Sequence, residues 1–172
     1  MRKGAVKMKL SVIYHSESGK TRRMAEIIAK GMNSVEGAEA RAFSIDELDA
    51  AFAAESRCVV FGAPIYGAYI SGKMADFLMK GTRQINLAGK LAGAFTTARY
   101  VHGGGDLGVR EILDRCMVAG ALTYSGGAAC GLPMIHLGPV AISDTMPIEQ
   151  FDDTFEVYGK RMVQKALELF GE

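Results

Sequence analysis

This chain has no charge surplus of either sign. Twenty Lys and Arg stand against 19 Asp and Glu, a formal net charge of +1. A basic excess would point to nucleic acid and an acidic one to a cationic partner; neither class is indicated. Cysteine is scarce. Cys58, Cys116 and Cys130 are odd in number with no CxxC among them, which argues against a disulfide framework and against a zinc site. Cys58 falls in an apolar run and Cys116 on the apolar face of a helical pattern, so both read as core. Cys130 lies among glycines and reads as more exposed. Long apolar runs are also missing. The basic start MRKGAVKMKL leads only into LSVIY, too short for a signal peptide or a membrane span. Linkers, repeats and low-complexity stretches are absent. The expectation is a reduced, cytoplasmic protein that engages neither nucleic acid nor membrane. Its 172 residues suit a single domain over 1–172.

What is present is alternation. MKLSVIY (8–14) is an apolar, β-branched run and reads as a buried strand. Behind it Met24, Ile27, Ile28, Gly31 and Met32 recur on one helical face. AEARAF (38–43) is a weaker strand. Ser44-Ile45-Asp46-Glu47 has the capping-box pattern, with Leu48, Ala51 and Phe52 on one face after it. RCVVFGA (57–63) and LAGAFTT (91–97) are further buried strands. Between them a helix turns Met74, Phe77 and Leu78 inward, and after them another places Val109, Ile112, Leu113, Cys116 and Met117 on one face. ALTYSG and GPVAIS read as two pieces of a last strand parted by a long loop. A final helix ends near Phe170 and carries Phe151, Phe155, Tyr158 and Met162 inward. Strands alternating with helices predict a doubly wound parallel sheet, in the Rossmann order or in 2-1-3-4-5. In either order a ligand sits at the carboxyl ends of the central strands.

The first loop there is Ser16-Glu17-Ser18-Gly19-Lys20-Thr21. It ends like a P-loop, but the first glycine that motif needs is Tyr14, and no later strand ends in the Asp that would help hold magnesium. G-x-G-x-x-G and G-x-S-x-G are absent too. A compact turn remains, running straight into a helix. Three hydroxyls, a glycine and the free N–H groups of the helix start suit one terminal phosphate. The plainer reading is that Ser and Thr only cap the helix. The second loop, Ala63 to Gly72, holds Tyr66 and Tyr69, whose rings can stack on a flat aromatic group; an ordinary surface role is the alternative, above all for Tyr69. The third, Thr96 to Gly105, ends in three glycines, which either wrap a ligand closely or give a flexible surface loop. His102 is the titratable group that the pattern places nearest a ligand.

YHSESGKT, FGAPIYGAYISGKMADFL and AFTTARYVHGGG, in this order and spacing, resemble the flavodoxin-like FMN proteins. Among them the likeness is to the NAD(P)H:quinone oxidoreductases of the tryptophan-repressor-binding-protein type, over nearly the whole chain. The resemblance implies a five-stranded parallel sheet in the order 2-1-3-4-5 with helices on both faces. It implies FMN rather than FAD, its phosphate cradled by Ser16, Glu17, Ser18, Gly19, Lys20 and Thr21. Pro64, Ile65, Tyr66 and Gly67 would line the flavin ring. Thr96, Thr97, Ala98 and the backbone near Gly103 would close the other side. NADH or NADPH would be the electron donor and a quinone or similar small molecule the acceptor, in a homodimer or homotetramer. Three departures bear on the quinone and nicotinamide sites rather than on the FMN loops. The third loop is longer before its glycines. Arg115-Cys116-Met117-Val118-Ala119-Gly120 lacks that type's histidine. Tyr66-Gly67 replaces a basic residue and an aromatic.

Three functions compete. An FMN-dependent oxidoreductase fits the resemblance, with redox chemistry borne by the flavin and no catalytic side chain required, His102 being the one candidate. A flavodoxin-type carrier is expected to be acidic for docking, which the net charge of +1 and the cations Lys20, Arg22 and Arg23 do not favour. An ATP-type phosphate enzyme lacks its glycine and its acidic strand end. The segment 126–143, with Cys130 and His136, would cover the flavin of its own subunit or of a neighbour.

Overall fold

The alternation of β-branched runs and amphipathic segments produces the layered architecture it predicts. The computed structural model describes residues 7–134, 136–144 and 146–171. Strand β1 (Met8–Tyr14) lies between β2 (Ala38–Ser44) and β3 (Cys58–Tyr66), and β5 (Leu91–Ala98) follows on the far side of β3, all parallel. The order is β2-β1-β3-β5, completed by two short pieces on the outer edge of β5: β6 (Leu122–Thr123) and β7 (Val140–Ile142). Counted as one split strand, they give the expected order 2-1-3-4-5. The two-residue β4 (Tyr69–Ile70) is antiparallel to the end of β3. Helices are α1 (Lys20–Asn33), α2 (Ala50–Glu55), α3 (Gly72–Lys80), α4 (Gly105–Val118) and α5 (Asp152–Phe170).

Strand alternation divides the core between the two sheet faces. Leu10, Val12, Cys58 and Val60 pack with Met24, Ile28 and Met32 of α1 and with Phe155, Tyr158 and Met162 of α5. Ile13, Val59 and Phe61 point the other way, onto Met74 and Leu78 of α3 and Val109, Ile112 and Cys116 of α4. Burial pushes both core thiols up, Cys116 to about 12, while Cys130 is exposed.

Helices α1 and α5 meet backbone to backbone. A Cβ at Gly31 would run into the Glu156 carbonyl oxygen, and one at Gly159 into that of Ile28. The gap between β6 and β7 is served from the same helix: the Ala94 N–H donates to the buried Tyr158 hydroxyl at 3.0 Å. The segment joining β6 to β7 hangs from Arg161 of α5, whose guanidinium donates to the carbonyls of Gly126, Gly127, Cys130, Gly131 and Leu132.

Three expectations need correction. The second helix does not start from Ser44. That residue ends β2, opposite Tyr14, and its hydroxyl accepts the Asp46 N–H in a tight turn. Asp49 caps the helix instead, accepting the Phe52 N–H at 3.0 Å. Met117 is half exposed, because Cys116 already fills that edge of the α4 face. Phe151 packs against the core as expected, but from a short 3-10 turn just ahead of α5 rather than from the helix.

The α1–α5 crossing sets a sharp expectation. Ala is favoured over Gly in a helix by about 1 kcal/mol. At Gly159, however, the methyl meets backbone that cannot rotate away, so Gly159→Ala is expected to destabilise by about 1–3 kcal/mol. Gly72→Ala, at the start of α3 where a Cβ meets nothing within 4 Å, is expected to be neutral or stabilising. Tyr158→Phe leaves the Ala94 N–H without its partner and is expected to cost about 1–3 kcal/mol. Urea unfolding followed by circular dichroism checks all three.

Candidate functional site

The carboxyl ends of β1, β3 and β5 share one edge of the sheet, and the three loops that leave them converge there. The first loop turns between Tyr14 and α1. Gly19 takes a left-handed φ of 85° at the head of the helix, and no side chain caps the helix. The first helical bond is the Arg23 N–H to the Gly19 carbonyl at 2.9 Å. The capping alternative for the serines and Thr21 therefore does not hold. The N–H groups of Lys20, Thr21 and Arg22 remain available to an anion, at the positive end of the helix dipole. Ser16 Oγ is buried and, among the described residues, has no hydrogen-bond partner. Such an atom calls for an absent acceptor or donor, and it stands in the same turn.

Thr21 is buried, its Oγ1 2.7 Å from Oγ1 of Thr97. Thr96 Oγ1 donates to the Gly105 carbonyl at 3.0 Å. Thus Thr97 reaches the base of the first loop from β5, Thr96 fixes the start of α4 on the other face, and Ala98 beside them is buried. Glu17, Ser18, Gly19 and Lys20 form the exposed lip. Lys20 Nζ donates to Ser143 Oγ at 3.0 Å, which ties the lip to the end of β7. Arg22 and Arg23 are engaged elsewhere, with Glu26 and with Asp152. A polar hollow of about 310 Å³ adjoins the turn, lined by Tyr14, Ser16, Gly19 and Arg22 and, from beyond β2, by Asp46 and Glu47. A larger hollow of about 610 Å³ lies toward the C-terminal ends of α3 and α4.

The second loop is a hairpin rather than a Pro/Gly coil. Strand β3 runs on through Pro64 and Ile65 to Tyr66, then folds back so that Ile65 pairs with Ile70 and Tyr66 with Tyr69. Gly67 and Ala68 make the turn with φ of 58° and 69°, the mirror-image geometry that matches strand twist. Pro64 is buried and Ile65 half-buried, while Tyr66 is 48% and Tyr69 69% exposed. Burial first, and then the Glu17 carboxylate, push the Tyr66 phenol up. The third loop packs onto this hairpin. Gly104, at φ 94°, brings its backbone so close that a Cβ there would lie 2.8 Å from the Ala68 Cα. Gly103 donates its N–H back to the Tyr100 carbonyl at 3.0 Å.

His102 is exposed and, among the described residues, makes no hydrogen bond or ion pair. The titratable group inside the site is instead His15, which sequence reasoning missed. It is 3% exposed, with Nδ1 2.8 Å from Ser71 Oγ and Nε2 3.9 Å from the Glu17 carboxylate. Burial first, then Lys73, hold its pKa below the usual 6.5. The signal was available: strand alternation puts residue 15 on the inward face of Ile13.

Known proteins carry the same pattern. The sequence profile of the Flavodoxin family matches residues 12–109. A "Flavodoxin" of Clostridium saccharobutylicum is 38% identical over 163 residues, spanning 95% of this chain and 100% of that one. An "NAD(P)H dehydrogenase (quinone)" of Geobacter sulfurreducens is 29% identical over 173 residues, spanning 80% and 78%. Among solved structures, a flavodoxin, WrbA-like protein from Agrobacterium tumefaciens superposes with a TM-score of 0.77 at 23% identity, over 95% of this chain and 99% of that one. A flavodoxin from the domain Archaea gives 0.75 at 19%, over 92% and 99%. These two share the fold. The profile match runs from β1 into α4 and takes in all three loops: the chain belongs to the flavodoxin family, and that membership implies FMN.

Proposed function

We propose that this chain holds one FMN on the three converging loops and serves as an electron-transfer protein of the flavodoxin kind. The observation that carries the reading is the first turn: an uncapped helix start beside a buried, unpartnered Ser16 hydroxyl. A phosphate there takes the free N–H groups of residues 20–22 and the Ser16 hydroxyl, with Thr21 fixed from behind by Thr97. Pro64, Ile65, Tyr66 and Gly67 line one side of the ring, with the half-exposed Tyr66 offering its face. Thr96, Thr97, Ala98 and Gly103 close the other. FMN, when bound, supplies the redox chemistry. The protein's part is to orient the ring, to shield it on one side and to fix the polar groups around it, so no side chain is required as acid or base.

A second reading has its own support. Several relatives are named NAD(P)H dehydrogenase (quinone), at 27–30% identity, and the net charge of +1 is unlike that expected of an electrostatically docking carrier. Under it the same flavin site takes hydride from NADH or NADPH and passes electrons to a quinone, in a homodimer or homotetramer. Against it stand Tyr66-Gly67 in the second loop and the buried Cys116 in the stretch that lacks a histidine.

The visible spectrum after incubation with FMN and removal of the excess separates these readings from none. A yellow protein that releases FMN on denaturation is expected; a colourless one that leaves FMN fluorescence unquenched refutes both. Stopped-flow mixing with NADH and NADPH then divides them: no reduction is expected of the carrier, rapid reduction of the quinone reductase. Ser16→Ala gives a test of the phosphate turn itself. With nothing to satisfy the hydroxyl in the free protein, its loss is expected to leave stability unchanged or raise it by about 1 kcal/mol. FMN affinity is expected to fall about tenfold, the worth of one hydrogen bond to a charged group. Titration of FMN fluorescence, paired with urea unfolding, reads both.

A further inference from the structure

The second loop stands clear of the sheet. Its ladder with β5 ends where Pro64 pairs with Thr97, and from Ile65 to Ile70 the strand pairing is with itself alone. Contacts outside the ladder therefore decide where the hairpin stands. Gly104 of the third loop packs on Ala68 at its turn. At its base the Ser71 N–H donates to the Pro64 carbonyl at 3.0 Å. A buried pair of side chains joins it to the first loop: Ser71 Oγ lies 2.8 Å from His15 Nδ1. Both residues are enclosed, Ser71 at 2% and His15 at 3% exposed. His15 directly precedes Ser16 and is anchored to β3 by its own N–H, which donates to the Gly62 carbonyl at 3.1 Å. Ser71 also stands at the head of α3, where its carbonyl accepts the Ala75 N–H at 3.0 Å. A serine in that place ordinarily turns its hydroxyl onto its own helix. This one makes no such cap. Its hydroxyl is turned instead to a histidine 56 residues earlier in the chain.

We propose that His15 and Ser71 are positioning residues: their hydrogen bond holds the hairpin that lines the flavin ring in a fixed place relative to the turn that takes the phosphate. The proposal rests on the flavin reading and goes beyond it, by naming what sets the spacing of the two half-sites. FMN has two ends. Its phosphate belongs to the turn from Ser16 to Thr21, after β1, and its ring to Pro64–Gly67, at the end of β3. A ligand anchored at one end meets the other at an effective concentration set by how firmly the two half-sites are held together. A hairpin free to swing leaves each end able to bind, but lowers the chance that both bind at once. The third loop is tied to the first in the same manner, by the hydroxyls of Thr21 and Thr97 at 2.7 Å. His15 and Ser71 do for the ring platform what that pair does for the loop after β5. Because both are enclosed in the free protein, their action on the flavin runs through the two loops they join.

Riboflavin, which is FMN without its phosphate, separates the two half-sites. The quantity to read is the ratio of the riboflavin to the FMN dissociation constant, from flavin fluorescence titrations of the full chain. Ser71→Ala and His15→Gln are each expected to lower that ratio about tenfold, with the loss falling on FMN. His15→Asn sets an amide in the place of Nδ1, within reach of Ser71, and is expected to keep the ratio of the unaltered protein. A Gln amide extends instead to the place of Nε2 and misses the hydroxyl. Ser71→Ala removes one oxygen and no helix cap, so it reads the tie even if loss of the buried imidazole impairs folding. A pair with a purely structural role predicts a different pattern: FMN and riboflavin weaken together, in step with stability in urea, and the ratio does not move. An unmoved ratio in Ser71→Ala overturns the proposal, as does a ratio that falls as far in His15→Asn as in His15→Gln. If the unaltered protein binds neither flavin, the flavin reading fails and the proposal with it. If FMN binds and the ratio holds in every variant, the flavin reading stands and the tie alone is refuted.

Discussion

The place of α1 is fixed by its crossing with α5, and the functional edge depends on it. With glycine at 31 and 159, each helix rests on a carbonyl of the other, a separation no side chain allows. Ion pairs on either side hold the register. Arg23 meets Asp152 at 2.5 Å near the start of both helices, and Lys30 meets Glu156 at 2.7 Å further along. Glu156 also accepts from Lys160, and these two hydrogen bonds keep its carboxyl at about 2. Half-exposed pairs of this kind contribute little to stability one by one. Their service is orientation: they aim the uncapped start of α1 at the turn where Ser16 lacks a partner. The long-range packing of two helices thus decides whether six residues at the other end of the molecule form a cradle or a loop.

Most of the architecture was legible because one physical signal dominates it. Buried parallel strands read as apolar runs, and Met8–Tyr14, Cys58–Tyr66 and Leu91–Ala98 are such runs. The split last strand was visible for the same reason, as two short apolar pieces parted by a long glycine-rich loop. The errors lie where local chemistry competes with a tertiary contact. Ser44 has the side chain of a helix cap, but pairing with Tyr14 keeps it in the sheet, and the cap passes to Asp49. Met117 satisfies the helical period, yet Cys116 and Leu113 already exhaust the face.

The site was legible in outline and not in detail. Loops at the ends of central strands are named by topology alone, and those containing Ser16–Thr21, Pro64–Gly67 and Thr96–Gly103 do share one edge. Pairing between them was hidden. Nothing in the order of residues says that Thr21 meets Thr97, or that the hairpin turn at Ala68 lies under Gly104. Histidine shows the limit most clearly. His102 drew notice because it stands among glycines in a loop, where an exposed imidazole is ordinary. His15 sits at the end of an apolar run, where burial gives the same group a lowered pKa and a fixed partner.

Arg161 and Tyr158 together mean that the segment between β6 and β7 is suspended from a helix, not woven into the sheet. One guanidinium grips the segment's first half through main-chain carbonyls, a hold indifferent to which side chains the segment carries. The phenol covers the stretch of β5 that the segment leaves unpaired. Lengthening the connection at its exposed turn, residues 131–133, ahead of the buried Met134, adds only a slowly growing closure entropy. That makes the outer turn of this segment the natural place to graft foreign sequence, a peptide tag or a small binding module, onto the molecule without disturbing the sheet.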